Sequence, residues 1–306
     1  MHSITIYPLD LLLLLYIAFL FGINNAGIAV TSMLASGFSY RISLGISALG
    51  FITGALLEGW KMSSIIVLED YTMTFIITTI MLSVFSFLNL PVSMVNIIFA
   101  SYIGSTMGIE TIPPTTNILS VIAAWIISPF IALITTLSIY HLIVRFTTTL
   151  SLVSLFRFYS VMIPLATFYT SYTIGANNLG LLYSMGYGYT NNGIDGSYMM
   201  PAILAAFIIG IVKGKSISRF LSEEIVGYTP TTILGGIISC SIILWLSTQM
   251  QIPLPFSQML IGSLIGINMI KRPHVYNKRS LLLLVSSWIG STSLSFIITF
   301  VVTKVI

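Results

Sequence analysis

Gly22-Ile23-Asn24-Asn25-Ala26-Gly27 is one of two short stretches that decide the fold, and Gly175-Ala176-Asn177-Asn178-Leu179-Gly180 is the other. Both read Gly-x-Asn-Asn-x-Gly, and they lie half a chain apart in a sequence of 306 residues. A helix that unwinds at glycine inside a bilayer leaves backbone groups unpaired, which is tolerated only beside a cavity or a solute. Breaks at Gly22 and Gly175, one in each half, therefore predict a central binding site in a transporter built by duplication.

The composition around these stretches is that of an integral membrane protein. Charged residues make up 7% of the chain and apolar residues 56%, whereas charged residues make up about a quarter of a soluble domain. Apolar runs cover 11–21, 75–88, 118–143 and 281–302, and several can cross a hydrocarbon layer of about 30 Å. A β-barrel would show short alternating segments instead. We therefore expect an all-α polytopic membrane protein.

The remaining global features exclude several other classes. Met1-His2-Ser3-Ile4 has neither a basic region nor a cleavage site, so the first apolar run is expected to be a retained span. The single cysteine, Cys240, excludes an internal disulfide. The net charge of +4 requires no nucleic-acid partner, because the basic residues cluster in loops, where they set membrane orientation.

The apolar pattern predicts ten membrane segments, five in each half. In the first half they cover 6–22, 41–60, 71–88, 92–109 and 118–144. In the second half they cover 158–174, 198–213, 229–249, 254–270 and 281–303. We expect one integral membrane domain made of a first repeat, 1–150, and a second repeat, 151–306, with broken helices or hairpins at its centre.

The charges of equivalent loops have opposite signs in the two halves. Acidic residues follow the second and fourth segments of the first half, namely Glu69, Asp70 and Glu110. Basic residues follow the same segments of the second half, namely Lys213, Lys215, Arg219, Lys271, Arg272, Lys278 and Arg279. Because basic loops face the cytoplasm, the two halves are predicted to be inverted repeats. Both termini are then expected outside the plasma membrane.

A second paired element lies at the start of the fourth segment of each half. Pro91 precedes Gly104 by the same interval that separates Pro253 from Gly266. Proline suits the first turn of a helix, so polar residues just after it fall where free N–H groups favour an anion. These polar residues are Ser93 and Asn96 in the first half, and Ser257 and Gln258 in the second.

Together, these elements resemble the inorganic phosphate transporter family, which includes sodium- or proton-coupled phosphate symporters and related sulfate permeases. That family carries Gly-Ala-Asn-Asp-x-Ala-Asn once per half and a later Pro-x-Ser-Thr-Thr-His element. Gly175-Ala176-Asn177, Gly22 and Asn24 match the first element, and Pro91-Val92-Ser93 and Pro253 match the second. The resemblance covers nearly the whole chain and implies phosphate transport by a duplicated, inverted scaffold.

The chain departs from the family pattern at its functional positions. The family aspartates are Asn25 and Asn178 here, and its histidines are Asn96 and Gln258. A carboxylate in the membrane interior binds a cation or a proton, whereas a neutral amide supplies N–H donors. We therefore expect an anion site made of neutral donors, no bound cofactor, and a coupling Na⁺ or H⁺ that is weakly held or absent.

Each candidate also has a structural interpretation. Hydrogen bonding between packed helices is the alternative for the four motif asparagines, Asn24, Asn25, Asn177 and Asn178, but the cost of burying polar groups in lipid favours binding. The two interpretations are evenly balanced for Ser93, Asn96, Ser257 and Gln258. Glu58 is expected to pair with Lys61, three residues on, rather than to relay protons. No metal-ligand cluster, nucleotide loop or nucleophile–base pair is evident, so no enzyme is expected.

The predicted function is secondary transport of a small tetrahedral oxyanion, phosphate before sulfate, by alternating access. Two alternatives stay open. One is a non-transporting accessory or binding protein on the same scaffold, and the other is an uncoupled anion channel or exchanger. The lipid bilayer and the oxyanion are the expected partners, and the sequence leaves a homo-oligomer open.

Overall fold

The computed structural model describes residues 8–66, 72–87, 92–110, 118–187, 198–214, 229–271 and 278–305, and its regular secondary structure there is entirely helical. The helices of the first half are α1 (Pro8–Ala35), α2 (Tyr40–Glu58), α3 (Thr72–Phe87), α4 (Met94–Gly108) and α5 (Ile118–Thr147). Those of the second half are α6 (Leu152–Ile174), α7 (Gly180–Tyr187), α8 (Met199–Lys213), α9 (Pro230–Gln249), α10 (Phe256–Lys271) and α11 (Lys278–Val305). A 3-10 turn, Gly59–Met62, follows α2, and a π-helical segment, Gly175–Leu179, joins α6 to α7.

Each of the ten predicted segments coincides with one helix, and α7 is the additional one. Among the described residues, six helical stretches are long and apolar enough to cross a membrane: 9–35, 40–62, 118–147, 152–186, 230–249 and 285–305. Shorter apolar helices cover 72–87, 94–108, 199–213 and 256–267. The prediction of an all-helical, multi-pass integral membrane protein is confirmed. The side of the membrane on which the termini lie stays a prediction.

The predicted unwinding at the two glycine motifs is wrong. Helix α1 continues through Gly22 without a break, and the chain stays helical at Gly175, where it only widens into the π-helical segment. The physical reason is close packing. A methyl group on Gly22 would collide with the carbonyl oxygen of Phe207, and one on Gly175 with that of Phe51. These glycines therefore let two backbones approach each other.

The two close crossings are built in the same way. Where α1 crosses α8, Gly22 lies against α8 and Gly210 lies against the carbonyl of Phe19 on α1. Where α2 crosses α6, Gly175 lies against α2 and Gly54 lies against the carbonyl of Tyr172. Counted by the predicted membrane segments, the first segment of each half thus packs on the second segment of the other half.

The fourth and fifth predicted segments of the two halves pack in the same reciprocal manner. Helix α4 packs extensively on α11, and α10 packs on α5, so the fourth predicted segment of each half lies against the fifth segment of the other. Such reciprocal partners are what a two-fold axis relating the halves would produce. The inverted repeat of 1–150 and 151–306 remains a proposal that these contacts support.

Burial separates central helices from peripheral ones. All of α4 except Met107 is buried. In the apolar 18-residue stretch of α9, 72% is buried, whereas the corresponding stretches of α5 and α11 are only 17% and 22% buried. Large apolar side chains such as Leu119 and Phe130 are exposed on the outer face of α5. Because a bilayer solvates such surfaces, α5 and α11 form the lipid-facing periphery, and the starts of α4 and α10 lie in the interior.

Candidate binding site

A pocket with an empty volume of about 250 Å³, mouth included, lies between the two halves. Its wall comes from α1, from the starts of α4 and α10, and from the π-helical segment. Five of the eight predicted ligand residues line it: Asn24, Asn25, Ser93, Asn178 and Ser257. Asn24 and Asn25 from the first half and Asn178 from the second thus lie on one pocket wall.

Two helix starts meet at this pocket. Helix α4 begins after Ser93, whose Oγ accepts a hydrogen bond from the backbone N–H of Asn96 at 3.3 Å. Helix α10 begins at Phe256, and the residues Met94, Val95 and Phe256 all lie on the pocket wall. Amides in the first turn of a helix have no carbonyl of their own helix as partner. Two positive ends of helix dipoles at one pocket favour an anion there.

A proline precedes each of these two helices in the sequence. Pro253 lies in the non-helical stretch 252–255 that leads into α10, as the sequence predicts. Pro91 falls outside the described residues. Asn96 and Gln258 occupy the same third position of α4 and α10. Both side chains are buried, but neither is among the residues on the pocket wall.

The first-half motif contributes two amides from an unbroken helix. Asn25 is buried and donates from Nδ2 to the carbonyl oxygen of Phe21, one turn earlier, at 2.9 Å. That bond uses one of the two amide protons, so one proton remains for a ligand. Asn24 is partly exposed on the same wall. Together they give the pocket a polar side that carries no charge.

Asn178 contributes from the second half, within the π-helical segment. Its side chain is 2% exposed, and within the described part of the chain its Oδ1 has no hydrogen-bond partner. Leaving a buried acceptor unpaired costs about 1–3 kcal/mol, so this atom calls for a partner. Single π-helical turns occur often at functional sites. Here the turn carries one of the pocket asparagines.

Asn177 lies elsewhere and has a different role. Its Nδ2 donates to the carbonyl oxygen of Ile252 at 3.0 Å and to Oγ1 of Thr248 at 3.1 Å. Its Oδ1 accepts the backbone N–H of Leu254 at 3.1 Å. These bonds tie the π-helical segment to the chain that enters α10. Asn177 is absent from the pocket wall, so it positions the start of α10.

The structure also contains a polar cluster that the sequence does not predict in full. Glu58 pairs with Lys61 at 3.2 Å, as predicted. Its carboxylate also accepts from Gln249 Nε2 at 2.7 Å, from Tyr172 OH at 2.8 Å and from Trp245 Nε1 at 3.2 Å. The cluster joins α2 to α6 and α9, away from the pocket wall. In the sequence, the only hint of this cluster is that Trp245 and Gln249 lie one helical turn apart on an apolar helix and so share one face.

None of the described residues on the pocket wall carries a charged side chain. Within the residues that the structure describes, no group of three or more His, Cys, Asp or Glu side chains is close enough to hold a metal ion. The pocket therefore offers backbone amides, side-chain amides and hydroxyls. Such neutral donors suit the oxygen atoms of an anion.

Comparison with known proteins gives two sequence relatives and one structural neighbour. No protein-family model matches the chain. A Methanocaldococcus jannaschii protein named as a phosphate permease is 22% identical over 304 residues, covering 97% of both chains. The sulfate permease CysP of Bacillus subtilis is 24% identical over 294 residues, covering 90% of this chain and 80% of CysP. A solved structure titled the sodium-dependent phosphate transporter aligns with a TM-score of 0.81 at 14% identity, covering 97% of this chain and 98% of that one.

These similarities confirm the resemblance to the inorganic phosphate transporter family that the motifs indicate. The structural likeness, at this low identity, shows a shared fold over nearly the whole chain. The relatives are permeases and transporters by name rather than enzymes, in agreement with the sequence prediction.

Proposed function

We propose that this chain is a secondary transporter of a small tetrahedral oxyanion, phosphate before sulfate, that works by alternating access. The observation that carries the proposal is the neutral pocket between the halves. Asparagine amides from both halves and the amino ends of two helices converge on it. Such donors suit a group with several acceptor oxygens. The names of the two relatives, a phosphate permease and a sulfate permease, agree with this class of ligand.

Coupling to a cation is proposed to be weak or absent. The pocket presents Asn25 and Asn178 where the family pattern has aspartates, and none of the described residues on its wall is a carboxylate. Without a negative charge, neither Na⁺ nor H⁺ finds a strong site beside the anion. Sodium dependence is a property of the structural neighbour by its title. We expect uptake here to respond little to a sodium gradient.

The proposed cycle rests on the inverted repeat. Reciprocal glycine crossings, α1 with α8 and α2 with α6, support two halves that rock against each other around the pocket. Alternating access then exposes the same asparagines first to one side and then to the other. We propose that both termini lie outside the plasma membrane, in line with the charges of the loops.

The test is uptake of radiolabelled phosphate into proteoliposomes, with sulfate as competitor, with and without a sodium gradient and at several pH values. Saturable uptake that ignores sodium supports the proposal. We expect Asn178→Leu to abolish uptake, because leucine removes the polar group and fills the small pocket. Ser138→Leu is the matched control, since Ser138 is exposed on the outer face of α5, and it should transport normally.

The other outcomes identify the alternatives. Oxyanion binding without uptake would indicate an accessory or binding protein. Flux that does not saturate and follows only the anion gradient would indicate a channel. Neither binding nor uptake of any oxyanion would refute the proposed ligand class.

A further inference from the structure

The turn between α5 and α6 carries two arginines at one end of the molecule. The ring of Phe146 on α5 meets that of Phe158 on α6, with ring centroids 5.6 Å apart. Arg145 and Arg157 directly precede these two residues in the chain, so the arginines lie at nearly the same level of neighbouring helices. Both arginine side chains are exposed. The turn therefore presents two positive charges to its surroundings.

A third arginine lies at the same end of the molecule. Arg41 is exposed in the first turn of α2. Helices α2 and α6 run in the same direction, because Gly50 packs against Phe168 and Gly54, one turn later, packs against Tyr172. The starts of two helices that run together lie at the same end. Arg41 therefore adds to the positive charge around the start of α6.

These positive charges have no partner in the described part of the chain. None of the three arginine side chains forms an ion pair or a hydrogen bond with another described residue. The hydroxyls of the turn are already used, since Thr148 donates to the carbonyl oxygen of Arg145 at 3.0 Å and Thr149 to that of Phe146 at 3.3 Å. The guanidinium groups are thus the donors that this turn offers to a partner.

Large apolar side chains surround the arginines of the turn. Leu152 is 85% exposed, Phe156 75% and Phe146 60%. Leu152 and Phe156 lie one helical turn apart on α6, and Arg157 follows Phe156 directly. Apolar side chains this exposed on a membrane protein are solvated by hydrocarbon. A long basic side chain beside them reaches the level of the lipid headgroups.

We propose that the turn between α5 and α6 binds an anionic phospholipid, whose phosphate group pairs with Arg145 and Arg157 and whose acyl chains lie along Leu152 and Phe156. Arginine binds a phosphate group through two parallel hydrogen bonds. An anionic lipid carries a net negative charge that the arginines neutralise, whereas a zwitterionic lipid carries its own cation. The loop charges predict that this turn faces the cytoplasm, the side where anionic lipids attract basic residues. This site does not depend on the proposed transport.

The experiment measures the association of spin-labelled phosphatidylglycerol and phosphatidylcholine with the purified full-length protein in phosphatidylcholine bilayers, at neutral pH and low salt. We expect tighter association of phosphatidylglycerol. The double variant Arg145→Gln/Arg157→Gln should reduce this preference by roughly 5-fold for each arginine, the factor that corresponds to about 1 kcal/mol per basic residue at an anionic surface.

Lys304→Gln is the matched control, because Lys304 on α11 is also exposed and lies beside Val305, an apolar side chain that is 80% exposed. It should keep the preference for phosphatidylglycerol. A second double variant, Arg145→Lys/Arg157→Lys, keeps both charges but loses the paired donors of the guanidinium group. It should show a preference between those of the wild-type protein and the glutamine variant.

Four results would overturn the proposal. Equal association of both lipids with the wild-type protein would exclude a selective site. An equal loss in Lys304→Gln protein would show that the preference reports only net charge. Displacement of phosphatidylglycerol by inorganic phosphate would assign the arginines to a free anion instead of a headgroup. A changed oligomeric state of the glutamine variant, with unchanged lipid preference, would identify the turn as an interface between two copies of the chain.

Discussion

Phe51 and Phe207 meet edge to face, with ring centroids 4.8 Å apart. Phe51 lies on α2, three residues before Gly54, and Phe207 lies on α8, three residues before Gly210. The carbonyl oxygen of Phe51 packs against Gly175, and the carbonyl oxygen of Phe207 packs against Gly22 in α1. In the proposed repeat these two residues hold corresponding positions, and such residues contact each other beside a two-fold axis. The proposed repeat places its axis at this pair.

We predict that Phe51→Ala and Phe207→Ala destabilise the protein by similar amounts, about 3–5 kcal/mol each, because both side chains are fully buried. Thermal unfolding in detergent measures the loss. Phe130→Ala is the control, since Phe130 is exposed on α5, and it should change little. Strongly unequal losses would contradict the equivalence of the two positions.

We predict that Gly22→Ala and Gly175→Ala destabilise the fold by about 1–3 kcal/mol, the typical cost of overpacking. In each variant the new methyl group collides with a backbone carbonyl that cannot move away alone. Gly45→Ala and Gly290→Ala are matched helical controls, because a Cβ there meets nothing within 4 Å. Melting temperatures should fall only for the first pair, and a normal melting temperature for Gly22→Ala would exclude close packing at that crossing.

Asn177→Leu tests positioning against ligand binding. Leucine has a similar size but removes the bonds to Ile252 and Leu254, so the start of α10 loses its anchor. We predict a lower melting temperature and slower uptake, with the ratio of phosphate to sulfate affinity unchanged. A changed ratio with normal stability would place Asn177 among the ligand residues instead.

The cluster around Glu58 predicts a graded effect on stability. Glu58→Gln turns an acceptor of four hydrogen bonds into a group whose Nε2 faces the donors of Lys61 or Gln249. We expect a loss of about 1–3 kcal/mol, measured by thermal unfolding. Lys61→Met should cost less, because the carboxylate keeps its bonds to Tyr172, Trp245 and Gln249. Equal losses would show that the ion pair alone stabilises this junction.

Labelling of single cysteines tests the predicted orientation. The native Cys240 is fully buried, so it should not react with a membrane-impermeant thiol reagent. Val305→Cys, close to the C-terminus, is expected to react in intact cells. Thr149→Cys, between α5 and α6, is expected to react only after permeabilisation, because the basic residues Arg145 and Arg157 flank that junction. The reverse pattern would invert the topology.

Hydropathy in the sequence predicts where the apolar helices lie, because burial in lipid requires long apolar runs. The convergence of Asn25 and Asn178 on one pocket also follows from their symmetric motifs. The sequence does not reveal which backbone faces a glycine. Unwinding at Gly22 and close approach to Phe207 use the same residue, and only the packed partner distinguishes them.

The roles of Asn177 and Glu58 depend on partners that are distant in the chain. Asn177 bonds to residues 252 and 254, and Glu58 to residues 172, 245 and 249. No local spacing relates these positions. Their contacts arise only when α6 and α9 pack beside α2, so the sequence shows the polar residues but not which of them meet.

The 3-10 turn after α2 and the π-helical turn after α6 lie side by side where these two helices run together, and Gly180 at the start of α7 touches Gly59. A 3-10 turn is wound more tightly than an α-helix, and a π turn holds an extra residue, which is worth about 100° of rotation. The helical winding therefore changes at the same level in both helices: it is tighter after α2 and wider after α6. If only one of these segments became regular α-helix, the residues after it would rotate and lose their contacts with the neighbouring helix. The 3-10 turn and the π-helical segment therefore depend on each other.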